Sequence, residues 1–158
     1  MEKRYKLAID TTEPSTGIGL AAAGSDLRFG EPQGSEKDTL ARRGDNLTKI
    51  KIWVSERNQS QELLPKIAAL LKANRVKPAQ LRQVAVNLGP GSFTGLRVGI
   101  SVANAFGYGL SIPVMGKAHL AGDTRERIQQ LLNLNTKIKK FRQVLPVYGA
   151  PPHITKSK

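Results

Sequence analysis

Three short apolar runs near the start of the chain have the pattern of β-strands. They cover residues 5–9, 16–23 and 47–56, and the third run alternates between apolar and polar positions. Its apolar positions are Ile50, Ile52 and Val54. The short connection between the first two runs predicts that these strands pair antiparallel. The polar stretch 24–46 predicts mainly a surface loop.

After residue 58 the spacing of the apolar side chains becomes helical. Leucine and isoleucine recur at intervals of three and four over 63–71, and Asn74 predicts the end of this helix. The elements predicted after it are a strand over 83–88, a helix from about 93 to 108, a short strand over 112–116 and a helix over 125–134. Residues 136–158 are predicted to be a basic tail.

The order of these elements, β-β-β-α-β-α-β, predicts an α/β fold. Three consecutive strands form a meander, whereas the strand–helix–strand units after them need right-handed parallel crossovers. We therefore expect a mixed five-stranded sheet covered by two helices. Residues 1–116 would form the main unit, and residues 117–158 a short helix and the basic tail.

The net charge is distributed unevenly along the chain. The 158 residues include 25 Lys and Arg against 12 Asp and Glu, a formal net charge of +13. Residues 121–158 hold 8 basic and 2 acidic residues, nearly half of the excess. A charge run is more often a solvated face than a binding site, but this one can also contact phosphates. The candidate contacts are Lys137, Lys139, Lys140 and Arg142.

The first predicted strand ends in a carboxylate and two hydroxyls. These belong to Asp10, Thr11 and Thr12. In a tight turn such groups can hold a hydrated Mg²⁺ and present N–H groups to a phosphate. The same side chains also stabilise ordinary turns by bonding to the local backbone, so both interpretations stay open.

The most distinctive segment is Gly-Pro-Gly-Ser-Phe-Thr-Gly-Leu-Arg over residues 89–97. Its first two glycines permit positive φ and close approach of the backbone, and its hydroxyl side chains can cap the helix that follows. It lacks the lysine of a Walker A loop, so it predicts a strand-to-helix connector more strongly than a phosphate loop. The connector residues are Gly89, Pro90, Gly91, Ser92, Phe93 and Thr94.

The helix after this connector carries a stripe of residues with little or no side chain. The stripe consists of Gly95, Gly99, Ala103 and Gly107. Residues four apart lie on one face, and each glycine costs about 1 kcal/mol of helix propensity, so a close neighbour is expected on that face. The other faces are apolar, which predicts burial against the sheet on one side and against the first helix or a second protein on the other.

Several kinds of chemistry lack the residues that they need. The chain has no cysteine, and His119 and His153 lie outside any metal-binding spacing. Ser92 has no base at the spacing of a nucleophile elbow. We therefore expect no catalytic residue, no metal and no cofactor. The lack of a long apolar segment favours a cytoplasmic protein without membrane contact.

Three segments in this order resemble the TsaB (YeaZ-type) family, whose members are subunits of the bacterial tRNA threonylcarbamoyladenosine machinery. The segments are Leu-Ala-Ile-Asp-Thr-Thr at 7–12, Arg-Asn-Gln-Ser-Gln-Glu-Leu-Leu-Pro at 57–65 and the connector with the helix start at 89–99. The resemblance covers about residues 5–116 and implies an ASKHA, RNase H-like fold. The older peptidase M22 label belongs to the same superfamily.

The resemblance implies a function in assembly, without catalysis. Family members are similar to inactive relatives of the catalytic subunit TsaD and pair with it through two helices, here 61–72 and 94–108. A small ATPase, TsaE, joins the complex, while TsaC makes threonylcarbamoyl-AMP. TsaD then modifies an adenosine next to the tRNA anticodon. A homodimer is a further option, and contact with tRNA is expected to be indirect. The candidate interface residues are Leu63, Leu64, Ile67, Leu71, Gly95, Leu96, Gly99, Ile100, Ala103 and Gly107.

If the stripe faces the partner, Gly99→Leu is expected to abolish pairing while the monomer stays folded. Gln59 stands where family members often have histidine, which is a further argument against a metal site. After Gly116 little remains of the usual second subdomain, so the resemblance predicts a short form. Two other hypotheses stay open: a nucleotide-binding ASKHA enzyme that uses the turn at Asp10, and a tRNA-binding module built on the basic tail.

Overall fold

The computed structural model describes residues 3–24 and 48–149. Its strands are β1 (Tyr5–Asp10), β2 (Ser15–Ala22), β3 (Thr48–Val54), β4 (Leu81–Gly89) and β5 (Val114–Ala118). Its α-helices are α1 (Gln59–Ala73), α2 (Phe93–Leu110) and α3 (Thr124–Leu132). The loop predicted over 24–46 lies outside the described residues apart from Gly24. No helix in the described ranges is both long enough and apolar enough to cross a membrane.

The five strands form one mixed sheet in the order β3-β2-β1-β4-β5. β1 pairs antiparallel with β2, and β2 with β3, which confirms the predicted meander. β4 runs parallel to β1, and β5 parallel to β4, as the crossover argument requires. The carboxyl ends of β1 and β4 therefore meet at one edge of the sheet, and their amino ends meet at the opposite edge.

The main core lies between the sheet and the helices α1 and α2. Leu7 and Ile9 of β1 point into it, because alternate residues of a strand share one face. α1 contributes its fully buried Leu63 and Ile67, and α2 contributes Leu96. The helical spacing found in the sequence thus selects the buried face of each helix correctly.

α3 covers the opposite face of the sheet, which corrects the prediction that two helices cover it. Ala8 of β1 and Ala85 of β4 pack against Ile128 and the leucines of α3 in a second apolar cluster. A Cβ placed on Gly17 would lie 2.7 Å from the Thr124 methyl carbon, and one on Gly19 would lie 2.6 Å from a methyl carbon of Ile128. Small residues on this face therefore let α3 approach the sheet closely.

The segment after α3 crosses back over α2. Asn104 of α2 donates to the carbonyl oxygen of Val144 at 2.9 Å and accepts from its N–H at 3.0 Å. The N–H of Val147 donates to the carbonyl oxygen of Leu88 at 2.7 Å. Part of the predicted basic tail, up to residue 149, is thus attached to the body of the protein, while the division at residue 116 stays a prediction.

Candidate functional site: the strand-end cluster and the paired-helix face

The carboxylate of Asp10 lies fully buried where β1 ends, beside the end of β4. Its Oδ1 accepts hydrogen bonds from the N–H and hydroxyl of Thr12, at 3.1 and 2.7 Å. Its Oδ2 accepts from Asn87 Nδ2 at 3.0 Å and from Arg127 Nε at 2.7 Å. We call Asp10, Thr12, Asn87 and Arg127 the strand-end cluster.

Arg127 brings α3 into this cluster. Its guanidinium also donates to the carbonyl oxygen of Gly122 at 2.8 Å and to the carboxylate of Glu13 at 3.3 Å. Burial by itself would lower the pKa of Arg127, but its hydrogen bond to Asp10 and the charges of Asp10 and Glu13 outweigh burial and raise that pKa above its ordinary value. The pair Asp10–Arg127 is therefore a neutralised, buried link between β1 and α3.

This geometry does not fit a hydrated Mg²⁺ at Asp10. A carboxylate has about four lone-pair positions, and the four hydrogen bonds from Thr12, Asn87 and Arg127 occupy them. Elsewhere in 3–24 and 48–149 no group of three or more His, Asp or Glu side chains could hold a metal ion. In this conformation the cluster stabilises the strand ends and offers no open cation site.

The connector 89–94 joins β4 to α2 as predicted, and its backbone packs against the end of β1. The N–H of Ser92 donates to the carbonyl oxygen of Thr12 at 2.8 Å, and Ser92 Oγ caps α2 by accepting from the Gly95 N–H at 3.3 Å. Gly89 has a φ of +106°, and a Cβ there would lie 2.6 Å from the carbonyl oxygen of Val147. The glycine here is required both by its φ and by the close approach of the C-terminal segment.

The small-residue stripe of α2 faces the chain itself, which corrects the expectation that it contacts a second protein. A Cβ on Gly99 would collide with the hydroxyl of Thr11, and one on Gly95 would collide with the Thr11 carbonyl oxygen. Thr11 fills this gap and donates its hydroxyl to the carbonyl oxygen of Gly95 at 2.6 Å. Gly107 is in the same position against Val114 of β5. The expectation that a Gly99→Leu monomer stays folded is therefore wrong, because its side chain would collide with Thr11.

A different surface of the helix pair is open and apolar. In α1, Glu62 and Lys66 point toward Trp53 of β3, since Glu62 accepts from its indole N–H at 3.0 Å and Lys66 lies over its ring. Leu64 and Ala68 are four apart, on the other flank of α1, and both are exposed, Leu64 at 52%.

The flank of α2 that lies toward α1 is identified from the contacts on its opposite flank. Arg97 and Asn104 contact the C-terminal segment on one side of the helix. Val98 and Val102, four apart and half-buried, lie on the side toward α1. We call Leu64, Ala68, Val98 and Val102 the paired-helix face.

Among the ten predicted interface residues only Leu64 is exposed. The other nine are buried in the core or in the stripe and cannot reach a partner without rearrangement. The sequence pattern locates both helices, but their most periodic positions are core positions. Ala68, Val98 and Val102 could have been predicted, because they are apolar residues adjacent to the buried face of each helix.

Other residues of the cluster were missed in the sequence. Asn87 could have been inferred, because it lies near the end of a strand that is predicted to run parallel to β1. No local pattern indicates Arg127, which is 117 positions away from Asp10. Gln59, noted only as a departure from a family pattern, ties α1 to the turn after β1. Its amide donates to the carbonyl oxygen of Glu13 at 2.9 Å and to the hydroxyl of Thr16 at 2.8 Å.

The predicted phosphate contacts separate into two groups. Lys137 and Lys139 line a cavity together with Arg4 and Arg82. All four of these side chains are exposed, and Lys140 and Arg142 do not line that cavity.

Comparison with known proteins connects this geometry to one family. Residues 53–130 match the family model described as TsaD, tRNA N6-adenosine threonylcarbamoyltransferase. An uncharacterized Mycobacterium tuberculosis protein is 32% identical over 72% of this chain and 45% of its own length. The tRNA threonylcarbamoyladenosine biosynthesis protein TsaB of Bacillus subtilis is 28% identical over 72% of this chain and 41% of its own. The solved structure of YeaZ from Pseudomonas aeruginosa superposes with a TM-score of 0.56 at 25% identity, covering 75% of this chain and 45% of that one.

The chain resembles the TsaB/YeaZ family in sequence and in fold. This confirms the resemblance found in the motifs and the ASKHA, RNase H-like architecture. The chain spans less than half the length of the TsaB/YeaZ relatives that it matches. The segment that matches the TsaD model contains both α1 and α2, and with them the whole paired-helix face.

Proposed function

We propose that the chain is a non-catalytic partner subunit of a TsaD-type threonylcarbamoyltransferase and acts with it in forming threonylcarbamoyladenosine on tRNA. The observation that carries this proposal is the paired-helix face. Its Leu64 is a large apolar side chain that is 52% exposed on the flank of α1 away from Trp53, whereas the exposed rings Phe93 and Tyr108 of α2 contact Tyr148 and Phe141. We place this activity in the cytoplasm, with a TsaE-type ATPase as a further component.

The TsaD-type subunit is the favoured occupant because the chain itself matches the TsaD family model over α1 and α2. A TsaD-type protein therefore has helices equivalent to these two. Two similar helix pairs can pack face to face as a four-helix arrangement around a pseudo-two-fold axis. The same geometry also allows two copies of this chain to pair, so the homodimer is the competing outcome.

The absence of a catalytic role is supported by the strand-end cluster. Asp10 is the carboxylate at the end of β1, and both of its oxygens are engaged within the chain. A chain that used this turn for nucleotide chemistry would need to release Arg127 first. The nucleotide-binding alternative therefore predicts a shift of the melting temperature by ATP with Mg²⁺ that Asp10→Asn abolishes, and the partner hypothesis predicts no shift that depends on Asp10.

The test is co-purification of the cognate TsaD-type subunit with three forms of this chain. Leu64→Arg places a charge in the centre of the proposed interface. Leu145→Arg makes the same change at a more exposed leucine, 67% exposed, away from the paired-helix face. Losing the burial of one leucine corresponds to about 2–3 kcal/mol, or a Kd roughly 30- to 150-fold higher.

We expect the wild-type chain and Leu145→Arg to retain the TsaD-type subunit and Leu64→Arg to lose it. Circular dichroism should give the same helix content for all three, because both leucines are exposed. Retention by Leu64→Arg at wild-type level would overturn the interface. A wild-type chain that elutes only as a homodimer in the presence of the TsaD-type subunit would overturn the choice of partner.

A further inference from the structure

A cavity of about 620 Å³ lies at the amino ends of the parallel strands, on the edge of the sheet opposite the strand-end cluster. Four cationic side chains line it, from Arg4 before β1, Arg82 in β4, and Lys137 and Lys139 after α3. Within residues 3–24 and 48–149, no acidic residue lines it. Its volume lies in the range of pockets that hold small ligands.

The wall of this cavity is held in place by buried polar contacts. Gln83 of β4, 5% exposed, donates its amide to the carbonyl oxygen of Leu134 at 2.8 Å. Lys6 of β1, 6% exposed, donates its ammonium to the same oxygen at 3.2 Å and to the side-chain oxygen of Asn135. Residues 136–139 follow directly, so the lysines of the tail are placed beside β4.

The positive charge of the cavity is not compensated within the described ranges. None of the four cations forms an ion pair with an acidic residue in 3–24 or 48–149. The pKa of Lys6 is lowered, first by burial and then by the charge of Arg82. The charges of Lys6 and Arg82 repel each other, and an anionic ligand beside Arg82 would offset this repulsion.

We propose that this cavity is a binding site for phosphate groups. Arginine offers a planar fork that matches phosphate oxygens, and lysine adds a point charge, so Arg4 and Arg82 with the two lysines suit a pyrophosphate-sized or larger anion. The phosphates come either from the backbone of an RNA or from a free phosphorylated molecule. The site does not depend on the proposed partner, because it lies outside the paired-helix face.

The experiment measures binding of two probes to the full chain, inorganic pyrophosphate by calorimetry and an unmodified tRNA by fluorescence titration, over a series of salt concentrations. The cavity variant is Arg82→Gln/Lys139→Gln, and Arg4→Gln/Lys137→Gln is a second, independent one. The matched control is Lys140→Gln/Arg142→Gln, which removes the same charge from the tail outside the cavity. Thermal unfolding establishes that each variant is folded.

We expect both cavity variants to bind pyrophosphate about 10-fold or more weakly, since each lost cation removes a charge-assisted hydrogen bond, while the control stays within about twofold. The phosphates are those of RNA if tRNA displaces pyrophosphate and the same variants bind tRNA more weakly. The dependence of tRNA affinity on salt concentration should then also be less steep in these variants. If tRNA is indifferent to these variants, the ligand is a free phosphorylated molecule. Failure of the wild type to bind pyrophosphate, or equal loss in the cavity and control variants, would overturn the site.

Discussion

At the scale of single residues, Thr11 explains why α2 contains glycines. Its side chain occupies the space that a side chain at 99 would need, and its carbonyl oxygen occupies the space needed at 95. Its hydroxyl donates to the Gly95 carbonyl oxygen. The helix-propensity cost of these glycines is thus offset by the contact between α2 and the end of β1. This contact also positions α2, and with it the α2 half of the paired-helix face.

Two glycines of α2 differ in the space around them, so replacing each with alanine should change stability in opposite directions. Gly99→Ala is expected to lower the free energy of unfolding by roughly 1–3 kcal/mol, because the new Cβ collides with Thr11 in a packed site. Gly109→Ala, where a Cβ would have no neighbour within 4 Å, is expected to raise it by up to about 1 kcal/mol. Urea denaturation measures both. A Gly99→Ala protein as stable as the wild type would contradict the assigned role of Thr11.

At the scale of elements, α3 is attached to the sheet by apolar packing, by one buried ion pair and by the hydroxyl of Thr124, which donates to Ser15 of β2. Ile128 fits over the glycines of β2, and Arg127 reaches the end of β1, where Asp10 accepts its hydrogen bond. α3 therefore fixes the turn after β1, against which the start of α2 packs. A helix that had only the apolar contacts could slide along the small-residue face of the sheet.

The ion pair gives a second prediction. Arg127→Met leaves the buried carboxylate of Asp10 without its cation and is expected to cost about 3–5 kcal/mol at neutral pH. The double variant Asp10→Asn/Arg127→Met should recover a large part of this loss. Arg125→Met, on the exposed side of the same helix, should change stability by less than about 0.5 kcal/mol. Equal stability of the single and double variants would show that the pair is not what couples α3 to β1.

The sequence predicted the elements well and their contacts poorly, for a physical reason. The alternation in β1 and the helical spacing in α1 depend only on residues close together in the sequence. Strands, helices and crossovers could therefore be inferred from them. What each face touches depends on distant residues. The stripe at Gly99 has the same spacing whether it meets Thr11 or a second protein, and nothing local connects Arg127 to Asp10. The small residues at 17 and 19 were the missed signal that α3 would cover the second face.

At the scale of the whole molecule, the sheet separates three surfaces. The paired-helix face lies on one side of it, the strand-end cluster closes its carboxyl edge, and the basic cavity opens at its amino edge. The net charge of +13 thus includes a group of cations that the fold brings together at one cavity, in addition to other exposed cations such as Lys140 and Arg142. A partner on the paired-helix face would leave the basic cavity open, so protein pairing and phosphate binding can occur together.

Under the proposed function, this chain enables a TsaD-type transferase without carrying its chemistry. The most direct measurement is the amount of threonylcarbamoyladenosine formed on an unmodified tRNA by the purified TsaD-type, TsaE-type and TsaC-type proteins. The reaction is run with this chain, without it, and with this chain in place of the TsaD-type subunit. We expect product only when both this chain and the TsaD-type subunit are present, and a strong loss with Leu64→Arg. Product formed without the TsaD-type subunit, or at an unchanged rate when this chain is left out, would contradict it.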